Sequence, residues 1–135
     1  MKSEIILPQI CYDEIINQLD SNLPYEACGF LSGNCNQIKT VWPLINQLQS
    51  SNRFFVDKKV VNMTLEQINI KQEKLIATYH SHPTTLPTPS YSDLKNHMSK
   101  DILMMIVSFK YQDPIMKLFN IDKNNYFECL FRIKT

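Results

Sequence analysis

The chain has 135 residues, 44% apolar and 20% charged, and its 14 basic and 13 acidic side chains leave a formal net charge of +1. That length suits one domain, 1–135, with a core of its own, and the composition excludes disorder and collagen-like repeats. Balanced charge without a like-charged block leaves no footprint for nucleic acid or an anionic membrane, and the longest apolar run, Ile102 to Val107, falls far short of the roughly 18 residues of a membrane span. Glu4 and Pro8 interrupt the start before a signal-like segment can form, so a cytoplasmic protein is expected. The four cysteines (Cys11, Cys28, Cys35, Cys129) include no Cys-x-x-Cys pair. They read as reduced thiols, mostly packed as small apolar residues, and not as a disulfide framework or a zinc knuckle.

Taken in order, Pro8 to Leu19 places Ile10, Ile15, Ile16 and Leu19 at helical spacing, with Pro8 in the first turn. Ala27 to Ser32, a Gly33-Asn34 turn and Ile38 to Leu44 predict a strand pair. Arg53 to Val56 predicts a short strand, and Met63 to Leu75 a helix with Leu65, Ile68 and Gln72 on one side. Leu75 to His80 reads as a buried strand. Residues 83–89 hold three of the seven prolines and form a loop, and Ser90 to Met98 has helix-start chemistry. Ile102 to Phe109, Ile115 to Asn120 and Tyr126 to Ile133 predict three more strands. The sum is a mixed sheet of about six strands with two or three helices, in an α/β (α+β) arrangement. Trp42, the phenylalanines and Met98, Met104 and Met105 are expected in the core.

Two of the three histidines lie in Tyr79-His80-Ser81-His82-Pro83. On an extended backbone, residues two apart point to one face, so both imidazoles can converge on one metal ion while Ser81 faces the other way. Asp93 follows eleven residues after His82, in Ser90-Tyr91-Ser92-Asp93. If Ser90 caps a helix, Asp93 falls in its first turn and can swing back as a third ligand. Two histidines and one carboxylate leave a fourth tetrahedral position for water, as in catalytic zinc sites. Ser-x-x-Asp is equally a routine capping device, so spacing alone leaves both roles open. The chain is too short for a barrel hydrolase, Thr84 and Thr85 replace the Asp-His continuation of a metallo-β-lactamase-like site, and the zinc deaminases' Cys-x-x-Cys is missing.

His80-Ser81-His82-Pro83, seven residues over 83–89 and Ser90-x-x-Asp93 resemble the JAMM (JAB1/MPN/Mov34) metalloprotease motif. Pro24-Tyr25-Glu26-Ala27-Cys28-Gly29-Phe30-Leu31-Ser32-Gly33 is similar to that family's upstream element in its compact prokaryotic form, with weaker agreement at Asn46 and at Phe54 or Phe55 before Asp57. Ala77 departs from the glycine that relatives often carry there. The resemblance implies a cytidine-deaminase-like α/β/α sandwich and one Zn²⁺ per chain on His80, His82 and Asp93. It further implies Glu26 as general base and then acid, with the Ser90 hydroxyl donating to the developing oxyanion. The implied substrate is the amide bond after the Gly-Gly tail of a ubiquitin-like or sulfur-carrier protein, whose glycines pass a narrow cleft. A hydrolase of small-molecule amides and a non-catalytic MPN-type interaction module are the alternatives. Cys28 is expected to be a buried structural thiol, and His97 a surface residue on the helix after Asp93.

Overall fold

The computed structural model describes residues 4–53 and 55–135; Phe54, one of the two aromatic candidates before Asp57, lies outside the described residues. The elements run β1 (Ile5–Pro8), α1 (Gln9–Ser21), β2 (Cys28–Asn34), β3 (Gln37–Leu44), α2 (Lys58–Ile70), β4 (Lys74–His82), α3 (Tyr91–Lys95), β5 (Leu103–Ser108), β6 (Ile115–Asp122), β7 (Asn125–Cys129) and β8 (Phe131–Lys134). The strands form one mixed sheet in the order β7-β6-β5-β4-β2-β3-β1-β8. Among the described residues, eight strands replace the expected six. β1 was hidden by its four-residue length and by Pro8, which closes the strand and not the first helical turn. The expected Tyr126–Ile133 strand is two, β7 and β8, which sit at opposite ends of the strand order with only Leu130 between them. The sheet therefore curls until its two edges are joined by one short ribbon.

The curl encloses α1. Cys11, Ile15 and Leu19 recur every four residues and are at most 2% exposed, packed with Leu7, Leu31, Tyr79, Met105 and Leu118. Full burial of Ile15 and Leu19 contributes about 1.5–3 kcal/mol each. Ile10, expected on this stripe, points to solvent because at 3.6 residues per turn it falls roughly opposite the centre of the Cys11, Ile15 and Leu19 stripe. The opposite face carries α2, where Ile68 is buried with Cys28, Phe30 and Leu44, and α3, where Leu94 covers Met104, Ile106 and Phe119. Helices on both faces of a mixed sheet make the α/β/α sandwich.

Three further expectations are corrected. Helix α2 starts five residues early, at Lys58, because the Asp57 side chain accepts from the Lys59 N–H and caps it, and it ends at Ile70, before Gln72. Residues 53, 55 and 56 are irregular instead of a strand, their polar groups taken by loop contacts described below. Met98, Phe55 and Phe127 are exposed, whereas Met104, Met105, Phe30 and Phe119 are buried. Among the cysteines, Cys11 and Cys28 are buried, Cys129 partly so, and Cys35 is exposed.

Candidate metal centre

Strand alternation sorts the residues around the histidines. On β4, Ala77 and Tyr79 face α1, so His80 and His82 face the side of α2 and α3. Ser81 turns the other way, where its Oγ accepts from the Ala27 N–H at 3.0 Å. The β2–β4 pairing sets Cys28 opposite His80 and, carried two residues further, Glu26 opposite His82. Neighbouring β5 runs parallel, with Ile106 beside His80 and Ser108 beside His82. Pro83 to Pro89 then returns the chain to Ser90, which caps α3. Its Oγ accepts from the Asp93 N–H at 3.1 Å, while Asp93 Oδ2 accepts from the Ser90 N–H at 2.9 Å. The capping bond and the contacts to both imidazoles are made by the same carboxylate oxygen, Asp93 Oδ2.

His80 Nε2, His82 Nε2 and Asp93 Oδ2 form an equilateral triangle of side 3.1 Å. Tetrahedral zinc with bonds of about 2.0–2.1 Å needs donor atoms about 3.3 Å apart, so these three could hold such an ion. The tautomer fits as well. His82 Nδ1 lies 2.8 Å from the Leu86 carbonyl, which can only accept, so Nδ1 carries the proton and the neutral ring turns a bare Nε2 into the triangle. Burial holds the His80 pKa below its ordinary value, and so keeps that ring neutral. For His82 burial acts the same way, but the Asp93 carboxylate and the Leu86 carbonyl outweigh it and raise the pKa. Burial alone would raise Asp93, yet its bonds to both imidazoles hold it well below the usual carboxylate range.

Glu26 is 3% exposed and stands at the end of the same cleft, a space of about 580 Å³. Burial, reinforced by the negative charge of Asp93 and opposed by His82, pushes its pKa up to about 8. A solvated loop carboxylate would show neither feature. The Cys28 thiol is pushed up to about 12 by burial and by Glu26, and is a packed group, not a nucleophile. His97 lies beyond α3, partly buried, with Nε2 2.6 Å from the Ile102 carbonyl, so it is neither on the helix nor in the triangle. Ala77 is fully buried between Leu31 and Leu103, away from the ligand face.

Residues 8–121 match the family of prokaryotic homologs of the JAB domain. The chain belongs to that family. A desampylase from Pyrococcus furiosus is 31% identical over 108 residues, which cover 80% of this chain and 76% of that protein. The solution structure of a protein from Desulfitobacterium hafniense superposes with a TM-score of 0.86 at 27% identity, covering 96% of this chain and 92% of the other. The crystal structure of a JAB1/MPN domain protein from Archaeoglobus fulgidus shares the fold, with a TM-score of 0.62 at 19% identity over 96% and 99% of the two chains. The JAMM resemblance of the two motifs is thus matched by the fold of the whole Prok-JAB chain.

One residue had no role in the sequence reading. Asn46 donates from Nδ2 to the Glu26 carbonyl at 2.6 Å and accepts at Oδ1 from the N–H groups of Leu48 and Phe55. Its only signal was its place after Pro43-Leu44, because a partner 20 residues back leaves no local pattern.

Proposed function

We propose that residues 1–135 act as a single JAMM-type unit, a zinc-dependent peptidase or isopeptidase that cuts the amide bond after the Gly-Gly tail of a ubiquitin-like or sulfur-carrier protein. The observation that carries this is the 3.1 Å triangle of His80, His82 and Asp93 beside a buried Glu26 at one cleft. The name of the Pyrococcus relative, desampylase, supports a ubiquitin-like substrate, and the free thiols of Cys11, Cys28 and Cys35 suit a cytoplasmic setting.

His80, His82 and Asp93 would hold one Zn²⁺ per chain, which when bound supplies Lewis-acid polarisation of the scissile carbonyl and acidifies a water. The Leu86 carbonyl and the Ser90 N–H keep two of these ligands aimed. Glu26 takes a proton from the attacking water at its carboxylate and returns it to the leaving amine. A carboxylate whose pKa is lifted toward neutrality can do both. Ser90 Oγ is an acceptor in its bond to Asp93 and retains its own proton, which it donates to the carbonyl oxygen as charge develops there. Phe30, Leu44, Val56 and Met104 make the cleft walls largely apolar, suited to an extended tail and not to a charged one.

The test is a purified ubiquitin-like protein ending in Gly-Gly, joined through an isopeptide bond to a lysine peptide, incubated with zinc-loaded protein. Release of the intact modifier, abolished in Glu26→Gln at unchanged zinc content, is the expected result. An intact conjugate beside turnover of small amides would favour a small-molecule hydrolase. No turnover of either, with no zinc bound on titration, would favour the interaction module.

A further inference from the structure

All four backbone polar groups of Glu26 and Ala27 are pinned. The Ala27 N–H donates to Ser81 Oγ at 3.0 Å and the Ala27 carbonyl accepts from the Ser81 N–H at 2.9 Å. Ser81 stands between the two histidines, so this side of the pair is referenced to the ligand strand. The Glu26 N–H donates to the Ser50 carbonyl at 2.6 Å, and the Glu26 carbonyl accepts from Asn46 Nδ2 at 2.6 Å. This second side is referenced to Asn46 and Ser50.

Asn46 organises the segment that carries both. Its Nδ2 also donates to the Arg53 carbonyl at 3.2 Å, and Oδ1 accepts from Leu48 and Phe55 at 3.0 and 2.9 Å. Two carbonyls meet the nitrogen and two N–H groups meet the oxygen, so the amide is fully satisfied in a single orientation. Leu48, Asn52, Arg53 and Phe55 of the same segment line the cleft, whereas Asn46 stands outside that lining.

We infer that Asn46 is a positioning residue: it fastens the wall formed by Leu48, Asn52, Arg53 and Phe55 to the Glu26 backbone, so that wall and carboxylate hold one place relative to His80, His82 and Asp93. This rests on the reading of Glu26 as the base. Asparagine alone meets the requirement at this length. Aspartate keeps the acceptor for the two loop N–H groups but sets a second oxygen against two carbonyls, and alanine removes all four bonds.

The experiment is a double-mutant cycle on the zinc-loaded protein, with a ubiquitin-like protein joined through its Gly-Gly terminus to a fluorescent lysine peptide as the probe. Asn46→Ala and Asn46→Asp should each lower kcat about 100-fold, the scale of a misplaced catalytic group, with KM changed less than about threefold and zinc content unchanged. In a Glu26→Gln background the same substitutions should cost less than about threefold. Equal losses in both backgrounds, or a loss confined to KM, would overturn the inference, since Asn46 would then serve the wall alone. Wild-type rates in Glu26→Gln would instead remove the base assignment, and the inference with it. A measurement independent of turnover is amide hydrogen exchange. In Asn46→Ala the Glu26 and Phe55 amides should exchange at least about tenfold faster, with Ala27, held by Ser81, unchanged. Unchanged exchange at Glu26 would overturn the inference whatever the enzyme cleaves.

Discussion

Replacing Glu26 by Gln should stabilise the metal-free protein at alkaline pH and leave it nearly unchanged in acid. The folded protein holds the Glu26 proton up to about pH 8, whereas an unfolded chain releases it near the ordinary value of 4.5. Within that window the native state binds more protons than the unfolded state, so wild-type stability falls as pH rises. The contribution is fully present below pH 4.5, is lost progressively, and is gone above about pH 8. At about 1.4 kcal/mol per pH unit the loss reaches about 5 kcal/mol, a ceiling for a side chain that water barely reaches. Against a typical total of about 5–15 kcal/mol this is a large effect. Gln keeps the shape and hydrogen-bonding reach of the protonated acid and does not titrate. Urea unfolding of both chelator-treated proteins between pH 5 and 9 is the assay, and subtracting the two curves removes most of the titration of His80, His82 and Asp93. The curves should coincide at pH 5 and separate by several kcal/mol at pH 9. Parallel curves, or a separation below about 1 kcal/mol, would show that the Glu26 carboxylate is solvated in the folded protein.

Asp93→Ala removes one corner of the triangle and half of the α3 capping box, so zinc affinity measured by calorimetry should fall at least about 100-fold, with about 1 kcal/mol lost from the fold; wild-type zinc affinity would place the third ligand elsewhere. Gly29→Ala would set a Cβ 2.2 Å from Tyr79 Oη, which is hydrogen-bonded to Gln18 Oε1, and should destabilise by about 1–3 kcal/mol in urea. Ser81→Ala strands the buried Ala27 N–H and should cost about 1–3 kcal/mol while zinc content holds, because the hydroxyl lies on the face away from the ligands; loss of zinc would contradict that separation of faces.

Much of the centre was readable because its relations are local. His80 and His82 share a face by the two-residue period of a strand, and Ser90 and Asp93 meet within one helical turn. Glu26, 54 residues before His80, was reachable only through a motif resemblance, and its burial and raised pKa have no local signature. Asn46 and the Arg53–Val56 segment illustrate the same limit. An apolar, aromatic stretch resembles a strand, yet here the Arg53 carbonyl and the Phe55 N–H are taken by the Asn46 side chain and the Phe55 carbonyl by the Gln47 N–H, so these groups need no ladder. The break at Leu130 was equally unreadable, because β7 and β8 are told apart only by partners more than a hundred positions apart, β6 and β1.

Short-range spacing thus carried the shared face of His80 and His82, the capped turn that presents Asp93 and the alternation that turns Ser81 away, because backbone periodicity acts over a few residues. Assembly of the centre was decided at long range. Antiparallel pairing of β2 with β4 brings Glu26 to His82, and parallel pairing of β4 with β5 buries the histidine end of the strand. These pairings are selected by how the curled sheet buries its two faces against α1 on one side and α2 and α3 on the other. That choice belongs to the whole folded chain, and with it the dry surroundings that raise the pKa of Glu26.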